Sequence, residues 1–132
     1  MTDHAIIRLE AEFARVAGIQ RTESGLRVLR ESVDRASRVN GAWEARAATH
    51  AEFFRLLADA TGGSAYYLLA HLISGSVRDM ITRAGPGAGE LILRTHRRLI
   101  RLLEDRDADG AAEEMERYLA LLSQGEPATV GQ

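Results

Sequence analysis

The sequence predicts an all-α protein, a single antiparallel bundle of about six to seven helices. Apolar residues recur every three or four positions along most of the chain, which is the spacing that places them on one face of a helix. No segment alternates apolar and polar residues at the period of two that a half-buried strand shows. Glycine, proline, asparagine and aspartate separate the periodic segments, so that each can end in a turn.

The first two helices each begin at a residue that can cap a helix. Thr2 or Asp3 can accept a hydrogen bond from a first-turn amide, and Thr22 can do the same for the second helix. We expect Gly18 to close the first helix and Asn40-Gly41 to close the second. The inward-facing residues are predicted to be Ile6, Leu9, Phe13 and Val16 in the first helix and Leu26, Leu29, Val33 and Ala36 in the second.

The third helix, from about Trp43 to Ala60, carries a histidine on its apolar stripe. Thr61-Gly62-Gly63 should end it, because glycine tolerates the left-handed conformation of a helix C-cap, and Ser64 can cap the next helix. The stripe consists of Trp43, Ala47, His50, Phe54 and Leu57.

The fourth helix, from about Ala65 to Arg83, is apolar on most of its circumference, and we therefore expect it to be central. Gly75 inside it lowers helix propensity, which close packing of another helix would explain. Its densest apolar stripe is Tyr66, Leu69, Ile73, Val77 and Met80.

The last two helices follow a loop at Gly85–Gly89, where proline and three glycines interrupt the helical pattern. Asp107-Ala108-Asp109-Gly110 forms the turn between them and offers an N-cap for the last helix. Residues 125–132 have no periodicity and are predicted to form a flexible tail. The inward-facing residues are Ile92, His96, Leu99 and Leu103 in the fifth helix and Ala111, Met115, Tyr118 and Leu122 in the sixth.

Composition narrows the classes of function. The chain has 132 residues and a formal net charge of -2, which fits one domain and argues against a free-standing nucleic-acid binder. The absence of cysteine excludes disulfides, thiolate metal ligands and thiol nucleophiles. Neither a signal peptide nor a transmembrane stretch is visible, so we expect a cytoplasmic protein without membrane contact. No known catalytic motif is present, and we expect no enzymatic activity.

Four residues on the inward stripes are predicted to converge: His50, Phe54, His96 and Tyr118. A single histidine on an apolar stripe is more often a hydrogen-bonded core residue than a ligand. Two histidines on separate stripes favour a shared pocket. Together with Arg78, they predict a small polar cavity inside the bundle.

Three segments carry a resemblance to a known family. They are IIRLEAEFARVAGIQRTESGLRVL, THAEFFRLLADATGG and THRRLIRLLEDRDADGAAEEMERYL, and their order and spacing are similar to those of the FCD domain. This is the all-helical C-terminal effector domain of the FadR subfamily of GntR transcription regulators. The resemblance implies a ligand-binding and dimerisation domain over residues 1–124. It also implies a winged helix-turn-helix domain on the N-terminal side, which we expect to be absent from this chain.

The resemblance also indicates where a metal would bind. Many members hold a divalent metal through an aspartate, a histidine four residues later, and one histidine on each of the last two helices. The matching residues here are His50, Phe54, His96 and Tyr118, of which His96 alone is retained. We therefore expect a degenerate metal site, no cofactor, and an effector that is a carboxylic acid or acyl compound.

The alternatives belong to other functional classes. A helical metal-binding protein or metalloenzyme would use His50 and His96, and Asp59 or Asp79 would have to complete the ligand set. An interaction module would have its pocket filled by side chains. The effector-domain interpretation implies a homodimer that contacts DNA only through the N-terminal domain.

Overall fold

The computed structural model describes residues 2–125, and within them every regular element is a helix. Six α-helices pack in a bundle around one apolar core, with a 3₁₀ turn at Pro86–Ala88. This confirms the predicted all-α bundle. The α-helices are α1 (Asp3–Gln20), α2 (Glu23–Arg38), α3 (Trp43–Asp59), α4 (Ser64–Ala84), α5 (Gly89–Glu104) and α6 (Ala108–Ser123).

Three helices begin at capping residues that the sequence predicts. In each, a side-chain oxygen accepts a hydrogen bond from the amide three residues later, which satisfies one of the unpaired donors of the first turn. These caps are Thr2 of α1, Thr22 of α2 and Asp107 of α6. The expectation for α4 is wrong, because Gly63 is its N-cap and Ser64 is already helical without a capping bond.

The sequence predicts that Gly18 closes α1, but in the structure Gly18 lies within this helix. The helix continues to Gln20, and α1 and α6 form the most extensive helix pair of the bundle. A Cβ atom at Gly18 would lie 2.8 Å from the Cα atom of Ala108, closer than any ordinary contact. Glycine is therefore required here by the close approach of α6 and not by the end of the helix.

Arg21 joins the α1–α2 connection to the end of α5. Its Nε atom donates to the carbonyl of Leu103 at 3.1 Å, and its Nη2 atom donates to that of Glu104 at 2.8 Å. Carbonyls in the last turn of a helix lack intrahelical partners. Arg21 thus caps α5 from another part of the chain.

The position of α4 differs from the prediction. Of the predicted inward stripe, Ile73, Val77 and Met80 are buried, but Tyr66 is only partly buried and Leu69 is exposed. Gly75 is exposed, and no other helix of the described chain comes within 4 Å of the position that its Cβ would take. Hence α4 lies at the side of the bundle and not at its centre. Its outer surface, here called the α4 apolar face, consists of Tyr67, Leu68, Leu69 and Leu72.

The predicted loop at Gly85–Gly89 is a compact connection. Gly85 ends α4 with a φ of 85°, a conformation that glycine adopts without strain. Ala88 and Gly89 are buried, and Gly89 is the first residue of α5. The connection thus fixes the N-terminal end of α5 against the bundle.

The sequence also predicts a flexible C-terminal tail and no helix that spans a membrane. The predicted tail, residues 125–132, lies outside the described residues apart from Gly125. Among the helices of residues 2–125, none is long and apolar enough to cross a membrane.

Candidate functional site

A buried hydrogen bond between α5 and α6 lies at the centre of the candidate site. The hydroxyl of Tyr118 is 2.8 Å from the Nε2 atom of His96, and both side chains are buried. Each residue lies on the inward stripe that its sequence spacing predicts. The structure therefore brings together two of the predicted site residues.

Aromatic rings from α3 enclose His96. The Phe53 ring stacks on the imidazole with centroids 4.0 Å apart and an interplanar angle of 13°. The Phe54 ring meets the same imidazole edge-on at 5.3 Å and is parallel to the Tyr118 ring at 6.2 Å. The rings of Phe53 and Phe54 therefore form the apolar surround of the central pair. The sequence reasoning missed Phe53, although it is adjacent to Phe54 in an apolar segment.

Burial keeps the central pair uncharged. It lowers the pKa of His96 well below its usual value, and the neighbouring His50 adds to this effect. It also raises the pKa of the Tyr118 phenol, with a further contribution from Glu10. When both groups are neutral, either the Tyr118 hydroxyl or the Nε2–H group of His96 donates the hydrogen bond, and the tautomer of His96 decides which.

His50 lies on α3 beside this pair, with one unpaired ring nitrogen. The side chain is only 2% exposed, and its Nδ1 atom has no hydrogen-bond partner among the described residues. Burial lowers its pKa to about 4, with a smaller contribution from the positive charge of Arg46. His50 is therefore a neutral polar group that retains hydrogen-bonding capacity.

Glu10 is a buried acid that the sequence reasoning missed. It is 1% exposed, and its Oε1 atom has no hydrogen-bond partner in the part of the chain that the structure describes. Burial raises its pKa well above the usual value, which favours the protonated carboxyl. The signal was its spacing, because Glu10 is four residues after Ile6 and three before Phe13, both fully buried.

Arg78 is the one predicted site residue that lies elsewhere. Its side chain is exposed on α4, whereas His50, Phe54, His96 and Tyr118 are buried. The prediction that Arg78 faces the pocket is therefore corrected. The arginine beside the site is Arg46, one turn before His50 on α3.

The residues at the positions of the family's metal ligands do not fit a metal. Phe54 offers no lone pair, and the Nε2 atom of His96 already bonds to Tyr118. Asp59 and Asp79, which the metal-binding alternative requires, are both exposed. Within residues 2–125, no group of three or more His, Cys, Asp or Glu side chains is arranged to hold a metal ion.

Two clefts on the surface of the bundle are each lined by one residue of the candidate site. One, of about 410 Å³, reaches Tyr118 between α5 and α6 and is bordered by four arginines and by Glu114, which pairs with Arg98 and Arg117. The other, of about 380 Å³, reaches His50 beside the start of α5. A wider cleft of about 480 Å³ between α2 and α3 contains none of the site residues.

Comparison with known proteins gives one family. A family model described as the FCD domain matches residues 4–121, which include all six helices except the ends of α1 and α6. Among curated proteins, no sequence matches the chain.

Proposed function

Because this chain belongs to the FCD domain family, we propose that it is the effector-binding and dimerisation domain of a GntR-family regulator of the FadR type. FCD domains are regulatory ligand-binding domains and not enzymes. The proposed domain comprises residues 1–124, is cytoplasmic, and catalyses no reaction. DNA would be bound by a winged helix-turn-helix domain outside the matched residues, consistent with a net charge of -2.

The buried pair of His96 and Tyr118 is the observation that carries the proposal. Apolar cores rarely contain a histidine, a tyrosine and an acid together, because each must lose its hydration. Here Glu10 and His50 each retain a polar atom that has no hydrogen-bond partner among residues 2–125, beside the pair. Such groups suit the polar end of a small molecule, while Phe53 and Phe54 offer contact to an apolar body. The effector is proposed to be a small carboxylic acid or acyl compound.

Effector binding would control DNA binding by a shift in population. A ligand that binds one arrangement of the helices more tightly favours that arrangement, by no more than the difference in its affinities. The linked DNA-binding domains of a dimer would then change their relative orientation. The effector needs no resident metal in this mechanism.

The α4 apolar face supports a homodimer. Leu72 is 77% exposed and Leu68 is 62% exposed, which is unusual for leucines this close together on one helix. We propose that a second copy of this chain covers this face in an isologous contact.

Thermal unfolding with a panel of organic acids and acyl compounds tests the function. A ligand at one hundred times its Kd should stabilise the domain by about 2.7 kcal/mol. His96→Gln should abolish this stabilisation, whereas His71→Gln, at an exposed histidine of α4, should retain it. A ligand effect that survives His96→Gln would place the effector elsewhere. Stoichiometric zinc or nickel in the purified protein, lost on His50→Ala, would favour the metal-binding alternative.

A further inference from the structure

The cleft between α5 and α6 has an uneven distribution of charge. Its volume of about 410 Å³ is within the range of small-molecule sites. Its lining contains four arginines and a single acid, Glu114, although the whole chain has a formal net charge of -2. The cleft is therefore locally positive on a chain that is negative overall. The arginines are Arg94, Arg98 and Arg101 of α5 and Arg117 of α6.

Helical spacing places these charged side chains in two rows. Arg94, Arg98 and Arg101 are four and three residues apart, so they lie along one face of α5. Glu114 and Arg117 are three residues apart and share one face of α6. Both rows line the same cleft. An anion in the cleft would therefore be bordered by guanidinium groups of both helices.

Glu114 holds two of the arginines in place. It is 9% exposed, and its Oε1 atom lies 3.2 Å from the Nε atom of Arg98 and 2.5 Å from the Nη2 atom of Arg117. One buried carboxylate thus connects a guanidinium of α5 to a guanidinium of α6. Each guanidinium has five N–H donors in one plane, so the contact with Glu114 leaves most of them available. The two cations are therefore oriented before any ligand binds.

Arg94 and Arg101 have no carboxylate partner of this kind. Among residues 2–125, neither of them takes part in a salt bridge. Of the nearby acids, Glu104 pairs with Arg30 of α2, and Glu90 borders a neighbouring cleft and not this one. Like charges three or four residues apart destabilise a helix. A bound anion would relieve this repulsion along α5.

One end of the cleft is apolar. The connection between α5 and α6 is short and the two helices are in contact, so they run antiparallel. Arg98 lies opposite Glu114, and two turns away Leu91 and Leu121 therefore lie opposite each other. Both leucines line the cleft, and Leu121 is 39% exposed. The cleft thus offers an apolar contact at one end and positive charge along the rest.

We propose that this cleft binds a phosphate monoester with an apolar substituent. The phosphate oxygens would accept hydrogen bonds from Arg98, Arg101 and Arg117, and the substituent would contact Leu91 and Leu121. A phosphate monoester has nearly two negative charges at neutral pH and three acceptor oxygens. It therefore suits several guanidinium groups better than a single carboxylate does.

This site goes beyond the proposed effector site, because none of its donors belongs to the buried pair. Tyr118 lines the cleft, but its hydroxyl bonds to His96 and is not one of the donors. The site lies at the surface of the bundle, so a ligand can reach it without any separation of the helices.

Isothermal titration calorimetry of the whole chain with phenyl phosphate and with inorganic phosphate tests the site. Phenyl phosphate should bind at least about tenfold more tightly, because inorganic phosphate has no apolar group. Arg101→Gln should weaken phenyl phosphate binding about tenfold through the loss of charge-assisted hydrogen bonds. Arg97→Gln is the matched control, since Arg97 is exposed on the same helix and does not line this cleft. It should change the affinity less than about twofold, because solvent screens exposed charges.

No binding of phenyl phosphate, equal affinity for the two phosphates, or equal losses in Arg101→Gln and Arg97→Gln would each overturn the proposal. Nuclear magnetic resonance of the wild-type chain tests the location without any variant, because phenyl phosphate should shift the amide signals of Arg98 and Leu121. Unchanged signals at both residues would also overturn it. The proposed function fails separately, when no compound of the acid panel stabilises the domain in a manner that depends on His96.

Discussion

The Tyr118 hydroxyl and the Nε2 atom of His96 form a 2.8 Å hydrogen bond inside the bundle. This bond joins α5 to α6 at a place where water cannot replace either partner, because both side chains are buried. Removing one partner leaves the other unpaired, which costs more than the net contribution of the bond itself. The pair is therefore important for stability as well as for the proposed ligand.

Tyr118→Phe should destabilise the domain by about 1 to 3 kcal/mol, because the buried His96 nitrogen loses its partner. Urea-induced unfolding followed by circular dichroism measures this change. Tyr66→Phe is the control, since Tyr66 is only partly buried and its ring contacts the edge of Phe13. Equal stability of the two variants would mean that the bond between Tyr118 and His96 contributes little.

Glu10→Gln should stabilise the domain at neutral pH. The folded state holds a protonated carboxyl with a raised pKa, whereas the unfolded state loses that proton above its usual value of about 4.5. The contribution of Glu10 to the free energy of unfolding is therefore largest below pH 4.5. It decreases as the pH rises towards the pKa of the folded state. Each unit of the shift is worth about 1.4 kcal/mol.

Thermal unfolding of Glu10→Gln and of the wild-type chain, at mildly acidic and at neutral pH, tests this prediction. The variant's advantage should grow with pH. Glu12→Gln is the control, because Glu12 is exposed on the same helix. The same advantage at both pH values would show that Glu10 is ionised in the folded protein.

His50→Gln should reduce the sensitivity of the domain to acid. Because the pKa of His50 is lowered to about 4, the unfolded chain takes up its proton near pH 6.5 before the folded chain does. The contribution of His50 to the free energy of unfolding is largest above that pH. It decreases as the pH falls towards 4, by up to about 1.4 kcal/mol per pH unit. His96 acts in the same direction.

The contribution of Glu10 to stability changes with pH in the direction opposite to that of His50 between about pH 4.5 and 6.5. The pH dependence of wild-type stability therefore does not separate the contributions of Glu10, His50 and His96. Comparing the pH slopes of wild type, His50→Gln and His71→Gln does so. His71 is exposed and serves as the control. An unchanged slope in His50→Gln would contradict a neutral His50 in the folded state.

Gly18→Ala and Gly75→Ala should have opposite effects on stability. The first places a Cβ 2.8 Å from the Cα of Ala108, and overpacking of this kind costs about 1 to 3 kcal/mol. The second adds a methyl group in open space within α4, where alanine is favoured over glycine by about 1 kcal/mol. Chemical denaturation measures both. A destabilising Gly75→Ala would indicate that another chain packs closely on α4.

Leu72→Glu should shift the proposed dimer towards monomer. A charge on the α4 apolar face would be buried without a partner in the contact between two copies. Light scattering over a range of protein concentrations measures the mass. Ile19→Glu is the control, because Ile19 is 57% exposed on α1, outside this face. A wild-type chain that is monomeric at all concentrations would refute the proposed homodimer.

The sequence predicted the helices well, and their inward stripes in every helix except α4, because helical period and capping are local properties. Thr22 caps α2, and His96 and Tyr118 face inward, as the spacing requires. It could not predict properties that depend on which helices meet. In the sequence, Gly18 looks the same as a glycine that ends a helix. Only the structure shows that it is required by the close approach of Ala108.

The candidate site was predicted in part for the same reason. Stripe positions identified His50, Phe54, His96 and Tyr118, and their actual contacts required the relative placement of α3, α5 and α6. Glu10 was missed because an acid is expected on a solvated face, although its position on the stripe of Ile6 and Phe13 indicated otherwise. Arg78 was wrongly included because α4 is apolar on nearly all sides, so that periodicity does not define its inner face.

Arg21 has a mechanical consequence for α5. It fixes the C-terminal end of this helix through two carbonyls, while the opposite end begins at Gly89, beside the cleft that His50 lines. A helix of 16 residues is about 24 Å long, so a rotation of about 5° around the Arg21 end moves the other end by roughly 2 Å. Because Arg21 anchors this end of α5, Arg21→Ala should speed amide exchange in the last turn of the helix.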